Sequence, residues 1–227
     1  MAKLIGTSLA LNVATKRKVS ILESSAIILA GGFSEKFGSN KGLAPLLNKP
    51  LIKYVLDAVN HVVDEKIVVV GSKPLAEIFS KVLGSKIKIV VDKRKAQSPL
   101  IGALTGFSEA HGEYALLLPC DTPLVSGGIL ALILELCINR NAVVPRWPNG
   151  HIEPLHAAYR VKPALDAAGK ALNNRKLDMC SMIENLRGIR YISTLVLQQL
   201  DPELRTFFNI NTPSDLKKAE QILKRKT

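Results

Sequence analysis

A glycine pair and two lysines stand close together early in the chain. Gly31 and Gly32 follow the apolar run 25–30, and Lys36 and Lys41 come soon after them. Glycine lets backbone N–H groups approach an anion closely, and lysine neutralises phosphate oxygens. The segment matches neither the P-loop pattern GxxxxGK[ST] nor the dinucleotide pattern GxGxxG. We expect a phosphate-binding loop of another kind; the alternative is a plain glycine turn with two surface lysines.

An aspartate follows another apolar run, in the sequence Pro119-Cys120-Asp121-Thr122-Pro123. A carboxylate at the end of a buried strand is costly to leave unpaired, and Mg²⁺ typically binds one or two carboxylates together with substrate phosphates. We therefore predict that Asp121 binds Mg²⁺. The alternative is structural, with Asp121 or Thr122 capping a helix that has Pro123 in its first turn. Cys120 is expected to serve in packing.

Two asparagines precede a helix start near the C-terminus. Thr212, Pro213 and Asp215 come close to a capping box, which needs no functional explanation. Asn209 and Asn211 alternate in a segment that the pattern predicts to be strand-like, so their side chains face the same side. They are candidates to contact a ligand or metal, or to hold a turn.

The sequence gives less indication of the acid–base and nucleophilic groups that hydrolytic enzymes use. His151 and His156 lie in one polar stretch, and we expect them to be surface or structural residues and not acid–base groups. The sequence contains no Ser-His-Asp order with a nucleophile elbow. Transfer of a phosphoryl-type group needs positioning, a metal and cations instead, when the acceptor brings its own phosphate. The glycines, lysines and aspartate above supply that set.

Short apolar runs alternate with helical patterns, which predicts an α/β protein with a mostly parallel sheet covered on both faces. The predicted strands are 25–30, 66–70, 87–91, 114–118, 142–145, 155–159 and 189–192. The predicted helices are 74–83, 101–110, 126–138, 162–173 and one that Pro50 opens and whose apolar face runs to Val63. Because ligands bind at the carboxyl ends of such strands, we expect the strand-end residues at one edge of the sheet: Gly31, Gly71, Asp92 and Asp121.

The composition suits one domain, residues 25–227, after an N-terminal extension, residues 1–24, to which we assign no function. A net charge of +12 attracts polyanions, whereas an aromatic content of 5% weakens the case for a base-stacking surface. Three cysteines without metal-site spacing predict a reducing cytoplasmic location. No apolar run approaches the roughly 20 residues that span a bilayer, so we expect no membrane association.

These motifs together resemble the molybdenum cofactor guanylyltransferase family. The opening LAGG, with Lys41-Gly42-Leu43 twelve residues after its leucine, is similar to the family's nucleotide loop. The segment 98–102 resembles its Gly-Pro-Leu-x-Gly segment, and the runs 119–123 and 209–216 match it closely. The order and spacing agree from about Ala26 to the C-terminus.

The resemblance implies a three-layer, Rossmann-like nucleotidyltransferase fold with a mostly parallel central sheet. It implies GTP and molybdopterin as substrates, and molybdopterin guanine dinucleotide and pyrophosphate as products. By position, the glycine loop would contact the nucleotide, Lys41 its phosphates and Asp92 the nucleoside, while Asp121 would bind Mg²⁺. In the mechanism that we expect, pyrophosphate leaves toward the glycine loop and Lys36. The residues implied to line the site are Leu29, Ala30, Gly31, Gly32, Lys41, Asp92, Asp121, Asn209 and Asn211.

Several positions depart from the family pattern. Lys36 stands where arginine is usual, which keeps the charge but loses the bidentate fork. Asn40 precedes Lys41 where aspartate is common, and Asn48 and Ser98 replace glycines. The alternatives left open are cytidylyl transfer to molybdopterin, guanylyl transfer to a corrinoid or phospholactate acceptor, and a non-catalytic nucleotide- or nucleic-acid-binding protein. A protein that delivers the cofactor, or a molybdoenzyme that receives it, is a further candidate partner; nucleic acid is not expected as one.

Overall fold

The computed structural model describes residues 23–34, 37, 39–92 and 98–225. In this part of the chain the predicted alternation of strands and helices is confirmed. The strands are β1 Ser24–Leu29, β2 Phe33–Ser34, β3 Ser39–Asn40, β4 Pro45–Leu46, β5 Lys49–Pro50, β6 Glu65–Val70, β7 Lys88–Val91, β8 Tyr114–Pro119, β9 Ala142–Arg146, β10 Ala157–Arg160 and β11 Ile189–Ser193. The helices are α1 Leu51–Ala58, α2 Lys73–Leu83, α3 Pro99–Glu109, α4 Gly127–Leu136, α5 Val161–Asn173, α6 Met179–Glu184, α7 Thr194–Leu197 and α8 Pro213–Lys224.

Seven of these strands form the central sheet, in the order β11-β9-β10-β8-β1-β6-β7. Strand β1 pairs in parallel with both β6 and β8, and β11 pairs in parallel with β9. Strand β10 is antiparallel to both of its neighbours. The sheet is thus mostly parallel, as predicted, and the carboxyl ends of six of its strands meet at one edge.

Alternate residues of each strand feed two separate apolar cores, because successive side chains point to opposite faces of a sheet. On one face, Ile28 and Leu116 are buried among residues of α1, α2 and α4. On the other face, Ile27 and Leu117 are buried among residues of α3, α5 and α6. Helices therefore cover both faces, which confirms the predicted three-layer α/β architecture.

The first predicted helix is shorter than the apolar pattern indicates. Helix α1 ends at Ala58, and Val59, Val62 and Val63 lie in the turns that follow. These valines remain in the core, so residues with helical spacing are buried here without forming a continuous helix. The helix ends where α4 begins, since a Cβ at Gly127 would lie only 2.7 Å from the Ala58 carbonyl oxygen.

The strand predicted at 155–159 begins two residues later, at Ala157. Leu155 and His156 belong to a turn in which the His156 N–H donates to the Glu153 carbonyl oxygen at 3.1 Å. A second difference concerns 208–211, which is an irregular connection and not a strand. The strand predicted at 189–192 is β11, and the short helices α6 and α7 precede and follow it along the chain.

The N-terminal extension, residues 1–24, lies outside the described residues except for Glu23 and Ser24. Strand β1 begins at Ser24, next to the predicted boundary. Across the described ranges, every helix is too short or too polar to cross a lipid bilayer.

Candidate active site

The glycine loop begins where β1 leaves the sheet. The Ala30 N–H donates to the Val69 carbonyl oxygen at 2.8 Å, which holds the start of the loop against β6. A Cβ on Gly31 would lie 3.4 Å from the Gly71 nitrogen, so the loops after β1 and β6 approach closely. Glycine at both positions keeps backbone exposed at the sheet edge, where an anion can reach it.

The Asn40 side chain holds this loop in place through hydrogen bonds. Its side-chain amide donates to the carbonyl oxygens of Ala30, at 2.6 Å, and Gly32, at 3.0 Å. Its Oδ1 accepts from the Gly42 N–H at 2.9 Å, which caps the short helical turn Lys41–Leu43. The buried Asn40 therefore connects the glycine loop to the turn that carries Lys41.

Lys41 joins the loop to two distant parts of the chain. Its ammonium Nζ lies 3.0 Å from Asp121 Oδ2 and 2.6 Å from Asn211 Oδ1. The Lys41 and Asp121 side chains are 24% and 14% exposed, so the ion pair is largely screened from solvent but open on one side. Three of the residues expected in the site thus converge on one point.

Asp121 is positioned by the chain on both sides of it. The Cys120 N–H donates to the Leu29 carbonyl oxygen at 3.2 Å, and the Asp121 carbonyl oxygen accepts from the Ile210 N–H at 2.9 Å. Cys120 is buried and packs against Gly42, where a Cβ would lie 3.1 Å from Sγ. Burial raises the pKa of the Cys120 thiol well above its usual value, which fits the packing role expected for it.

The helix-cap alternative for Asp121 and Thr122 is wrong. Helix α4 begins at Gly127, and its N-cap is Ser126, whose Oγ accepts from the Ile129 N–H. Thr122 is buried and lies in the turn after β8. Asp121 is therefore not engaged in a helix cap, and its carboxylate points to Lys41.

A cavity of about 490 Å³ opens over the carboxyl ends of β1, β6, β7 and β8. The predicted site residues Leu29, Gly31 and Gly32 line it, together with Lys41, Asp92 and Asp121. Ala30 does not line the cavity, because it is buried with its carbonyl group bound to Asn40. Lys36 lies outside the described residues, so its expected role at the leaving group stays a prediction.

The far wall of the cavity is the beginning of α3. Ser98 caps this helix by accepting from the Ile101 N–H at 3.2 Å, and Pro99 occupies its first turn. Thr105 Oγ1 donates to Asp92 Oδ1 at 3.4 Å. Gly102 lets α3 approach β1, since a Cβ there would lie 3.2 Å from the Leu29 side chain.

The segment before α8 supplies one site residue of the two expected. A capping box fixes it: Asp215 Oδ2 accepts from the backbone N–H groups of Asn211 and Thr212 and from the Thr212 hydroxyl. These bonds, led by that of the Thr212 side chain, lower the pKa of Asp215. Asn211 reaches Lys41, whereas Asn209 is exposed next to the buried Ile210.

The oxygen atoms around the Lys41 ammonium fit a magnesium site. Asp121 supplies a carboxylate oxygen and Asn211 an amide oxygen, and both approach the same cation. Within the described ranges, no group of three or more His, Cys, Asp or Glu side chains is placed to hold a metal. Such a sparse, all-oxygen donor set suits Mg²⁺, which completes its shell with phosphates and water.

Several lining residues were not singled out from the sequence. Val69 and Leu155 form part of the cavity wall, and Asn40 holds the loop without lining it. The strand-end rule would have found Val69, because it lies two residues before Gly71, near the end of β6. Of the two histidines noted in the sequence, His156 is buried and His151 lies on the surface.

Comparisons with known proteins identify the family of the chain. A family model described as the MobA-like NTP transferase domain matches residues 26–186. The chain is 32% identical over 197 residues to a probable molybdenum cofactor guanylyltransferase of Methanosarcina mazei, covering 85% of this chain and 88% of that protein. It is 33% identical over 202 residues to the molybdenum cofactor guanylyltransferase of Desulfosudis oleivorans, covering 88% and 96%.

Among solved structures, the chain is similar to molybdopterin-guanine dinucleotide biosynthesis protein A from Archaeoglobus fulgidus. The TM-score is 0.76 at 26% identity, and the match covers 88% of this chain and 99% of that one. The family match, the relatives above 30% identity and the shared fold agree with one another. The chain therefore belongs to the family of MobA-like NTP transferase domains and is a nucleotidyltransferase.

Proposed function

We propose that this nucleotidyltransferase transfers GMP from GTP to the terminal phosphate of molybdopterin, giving molybdopterin guanine dinucleotide and pyrophosphate. The observation that carries the proposal is the convergence of Lys41, Asp121 and Asn211 at the rim of a glycine-lined cavity. The names of the relatives in Methanosarcina mazei and Desulfosudis oleivorans support GTP and molybdopterin as the two substrates.

The nucleotide occupies the cavity over β1, β6 and β7. Exposed backbone at Gly31, Gly32 and Gly71 receives the phosphates, because glycine there leaves no side chain between the N–H groups and an anion. Asp92, at the end of β7, lies on the side where the nucleoside would sit. The acceptor approaches from the other side, across β8, where Asp121 and Asn211 meet Lys41.

The reaction needs charge stabilisation more than a protein nucleophile. An oxygen of the acceptor phosphate forms a bond to the α-phosphorus of GTP as the bond to pyrophosphate breaks. The Lys41 ammonium neutralises negative charge that develops on the transferring group. Asp121, with Asn211, would hold Mg²⁺, which supplies Lewis-acid stabilisation of phosphate oxygens when it is bound. We assign Lys36 to the departing pyrophosphate.

The first test is calorimetric titration of the protein with GTP, CTP, ATP and UTP, each with and without Mg²⁺. The proposal expects selective, Mg²⁺-assisted binding of GTP. A preference for CTP would keep the enzyme class and change the product to the cytosine dinucleotide. Failure to bind any nucleotide, with or without molybdopterin present, would exclude the assignment of the glycine loop.

A pair of isosteric variants tests the role of Asp121. Asp121→Asn should lower turnover at least about 100-fold, the order of effect seen when one stabilising group of a transition state is removed. Asp166→Asn removes the same charge from an exposed position on α5 and should leave turnover unchanged. Near-normal pyrophosphate release by Asp121→Asn would disprove the metal assignment.

The proposal extends to the surroundings of the enzyme. The buried thiols of Cys120 and Cys137 and the exposed thiol of Cys180 are all free. Free thiols are typical of a reducing compartment, which supports a cytoplasmic location. A protein that delivers molybdopterin, or a molybdoenzyme that receives the product, would be a natural partner of this reaction.

A further inference from the structure

A second cavity lies at the other end of the same sheet edge. Its volume is about 240 Å³, and it is formed by the ends of β9 and β11 and by the turn after β9. The residues around it include Arg146, Trp147, Gly150, Tyr191 and Ser193. Among the described residues none of its walls is acidic. The nucleotide chemistry above makes no use of this cavity.

The walls present planar groups to solvent. The Arg146 guanidinium carbon lies 5.2 Å from the centroid of the Tyr191 ring, so the two groups form a cation–π pair. Tyr191 is 41% exposed, and Arg146 is exposed as well. The pairing of β9 with β11 sets this contact, because Arg146 lies opposite Ser193, two residues beyond Tyr191.

Trp147 lines the same cavity and is fixed by a hydrogen bond and a ring contact. Its Nε1–H donates to Glu153 Oε1 at 2.7 Å, and its ring meets Phe207 edge-on at a centroid distance of 5.6 Å. Gly150, with φ of +89°, closes the turn that places the ring there, and its N–H donates to the Trp147 carbonyl oxygen. The cavity is thus a preformed arrangement, which limits the entropy lost when a ligand is bound.

Both cavities lie at the edge of the sheet where the carboxyl ends of the parallel strands meet. Val69, a wall of the nucleotide cavity, belongs to the core of α3, α5 and α6. Val144 belongs to that core too, and Arg146 is two residues further along β9, so it points to the same face. Strands β9 and β11 are two and three positions from β8, which at about 4.8 Å per strand puts the second cavity roughly 10–14 Å from Asp121.

We propose that the Arg146–Tyr191 cavity binds the pterin ring of the acceptor. The inference rests on the proposed function, because that function places the acceptor phosphate at Lys41 and Asp121. The heteroaromatic end of the acceptor must then extend along the sheet edge, away from the nucleotide. A planar, hydrogen-bonding heterocycle stacks well on an arginine–tyrosine pair. The lack of acidic walls among the described residues suits an acceptor that carries phosphate.

The chain provides its own reporter for this cavity, since Trp147 is its only tryptophan. The probe is 6-hydroxymethylpterin, which has no phosphate and so does not require the Lys41 site. We expect saturable quenching of Trp147 fluorescence by the wild-type protein. Arg146→Gln and Tyr191→Leu should each raise the dissociation constant for the pterin at least about tenfold, which is the effect of losing a stacking partner of this kind. Arg190→Gln, which removes an exposed arginine adjacent to Tyr191, is the matched control and should leave it unchanged.

Turnover with intact molybdopterin gives the second readout. In Arg146→Gln and Tyr191→Leu, KM for molybdopterin should rise at least about tenfold while the dissociation constant for GTP stays at its wild-type value. Unchanged GTP affinity also shows that the variants are folded. Wild-type protein that binds GTP but is not quenched by the pterin, or variants whose KM for molybdopterin is unaltered, would overturn the inference. Loss of GTP binding by the wild-type protein would instead refute the proposed function, whatever the pterin does.

Discussion

Lys41 stands between two oxygen atoms that the magnesium site would use. Its Nζ contacts Asp121 Oδ2 and Asn211 Oδ1, so the ammonium lies where the proposed metal ion would bind. Two positive charges do not share one position, because their repulsion at close range is large where water is largely excluded. If Mg²⁺ binds these oxygen atoms as proposed, the ammonium and the metal compete for them.

This competition predicts two effects of Lys41→Met. Turnover should fall by roughly 100-fold or more, because a cation at the transferring phosphate is lost. Affinity for Mn²⁺ without nucleotide, measured by paramagnetic resonance, should rise, because Asp121 and Asn211 are no longer occupied. Lys49→Met, which removes a surface lysine paired with Asp57, serves as the control for both measurements. Weaker Mn²⁺ binding by Lys41→Met would show that the ammonium helps the metal instead of opposing it.

His156 is a buried base without a hydrogen-bond partner for either ring nitrogen in the described part of the chain. It packs edge-on against Phe207 and is 2% exposed. Burial lowers its pKa from 6.5 to about 4. The unfolded chain therefore binds the proton more tightly than the folded protein does, and stability from this residue is complete above pH 6.5 and is lost as the pH falls toward 4.

The shift predicts how His156→Leu changes acid stability. Wild-type protein should lose on the order of 3 kcal/mol of unfolding free energy through this group between pH 6.5 and 4. The leucine variant lacks this titration. Its unfolding free energy, measured by urea denaturation at several pH values, should therefore fall less steeply as the pH is lowered below 6.5. Both proteins share every other titrating group, including Glu153, whose Oε2 lies 3.8 Å from His156 Nδ1. If the unfolding free energies of the two proteins fell equally steeply with pH, His156 would take up its proton in the folded state as readily as in the unfolded chain.

At the scale of elements, the packing of α3 on β1 depends on a glycine. A Cβ at Gly106 would lie 2.2 Å from Ile27 Cγ2, inside the core between the helix and the sheet. Gly106→Ala should therefore destabilise the protein by about 1–3 kcal/mol through overpacking. The matched variant is Gly169→Ala in α5, where a Cβ meets nothing within 4 Å. There the better helix propensity of alanine should stabilise by about 0.5–1 kcal/mol. The account would be contradicted if chemical denaturation showed that both variants change the unfolding free energy in the same direction.

The same scale shows which elements a sequence can predict. Helices α2, α3 and α8 follow from serine or threonine caps with proline in the first turn, and local hydrogen bonds fulfil those signals. The end of α1 does not follow, because its apolar spacing continues to Val63 and only the contact between Ala58 and Gly127 reveals the stop. Likewise the turn at Leu155 and His156 shortens β10, although both residues have apolar or buried character.

At the scale of the whole molecule, the site is assembled from residues far apart in sequence. Lys41 and Asn211 are separated by 170 positions, yet their side chains are in contact. The strand-end rule predicted that the loops after β1, β7 and β8 would meet, but no local pattern brings Asn211 to Lys41. Resemblance to a family supplied only the expectation that Asn211 lines the site. Asn40 escaped prediction for the opposite reason, since its role lies in bonds to the backbone that sequence spacing does not encode.

The net charge of +12 belongs to the molecule as a whole and should act on the capture of its substrates. A positive field raises the association rate of a triphosphate, and salt screens it as the Debye length falls from about 10 Å at 0.1 M to about 3 Å at 1 M. Stopped-flow binding of a fluorescent GTP analogue should therefore slow by roughly tenfold over that range. A fluorescent guanosine without phosphates is the control, and its binding should hardly change. Equal salt dependence of the two ligands, or none for either, would mean that the basic charge is directed away from the nucleotide cavity and serves another surface.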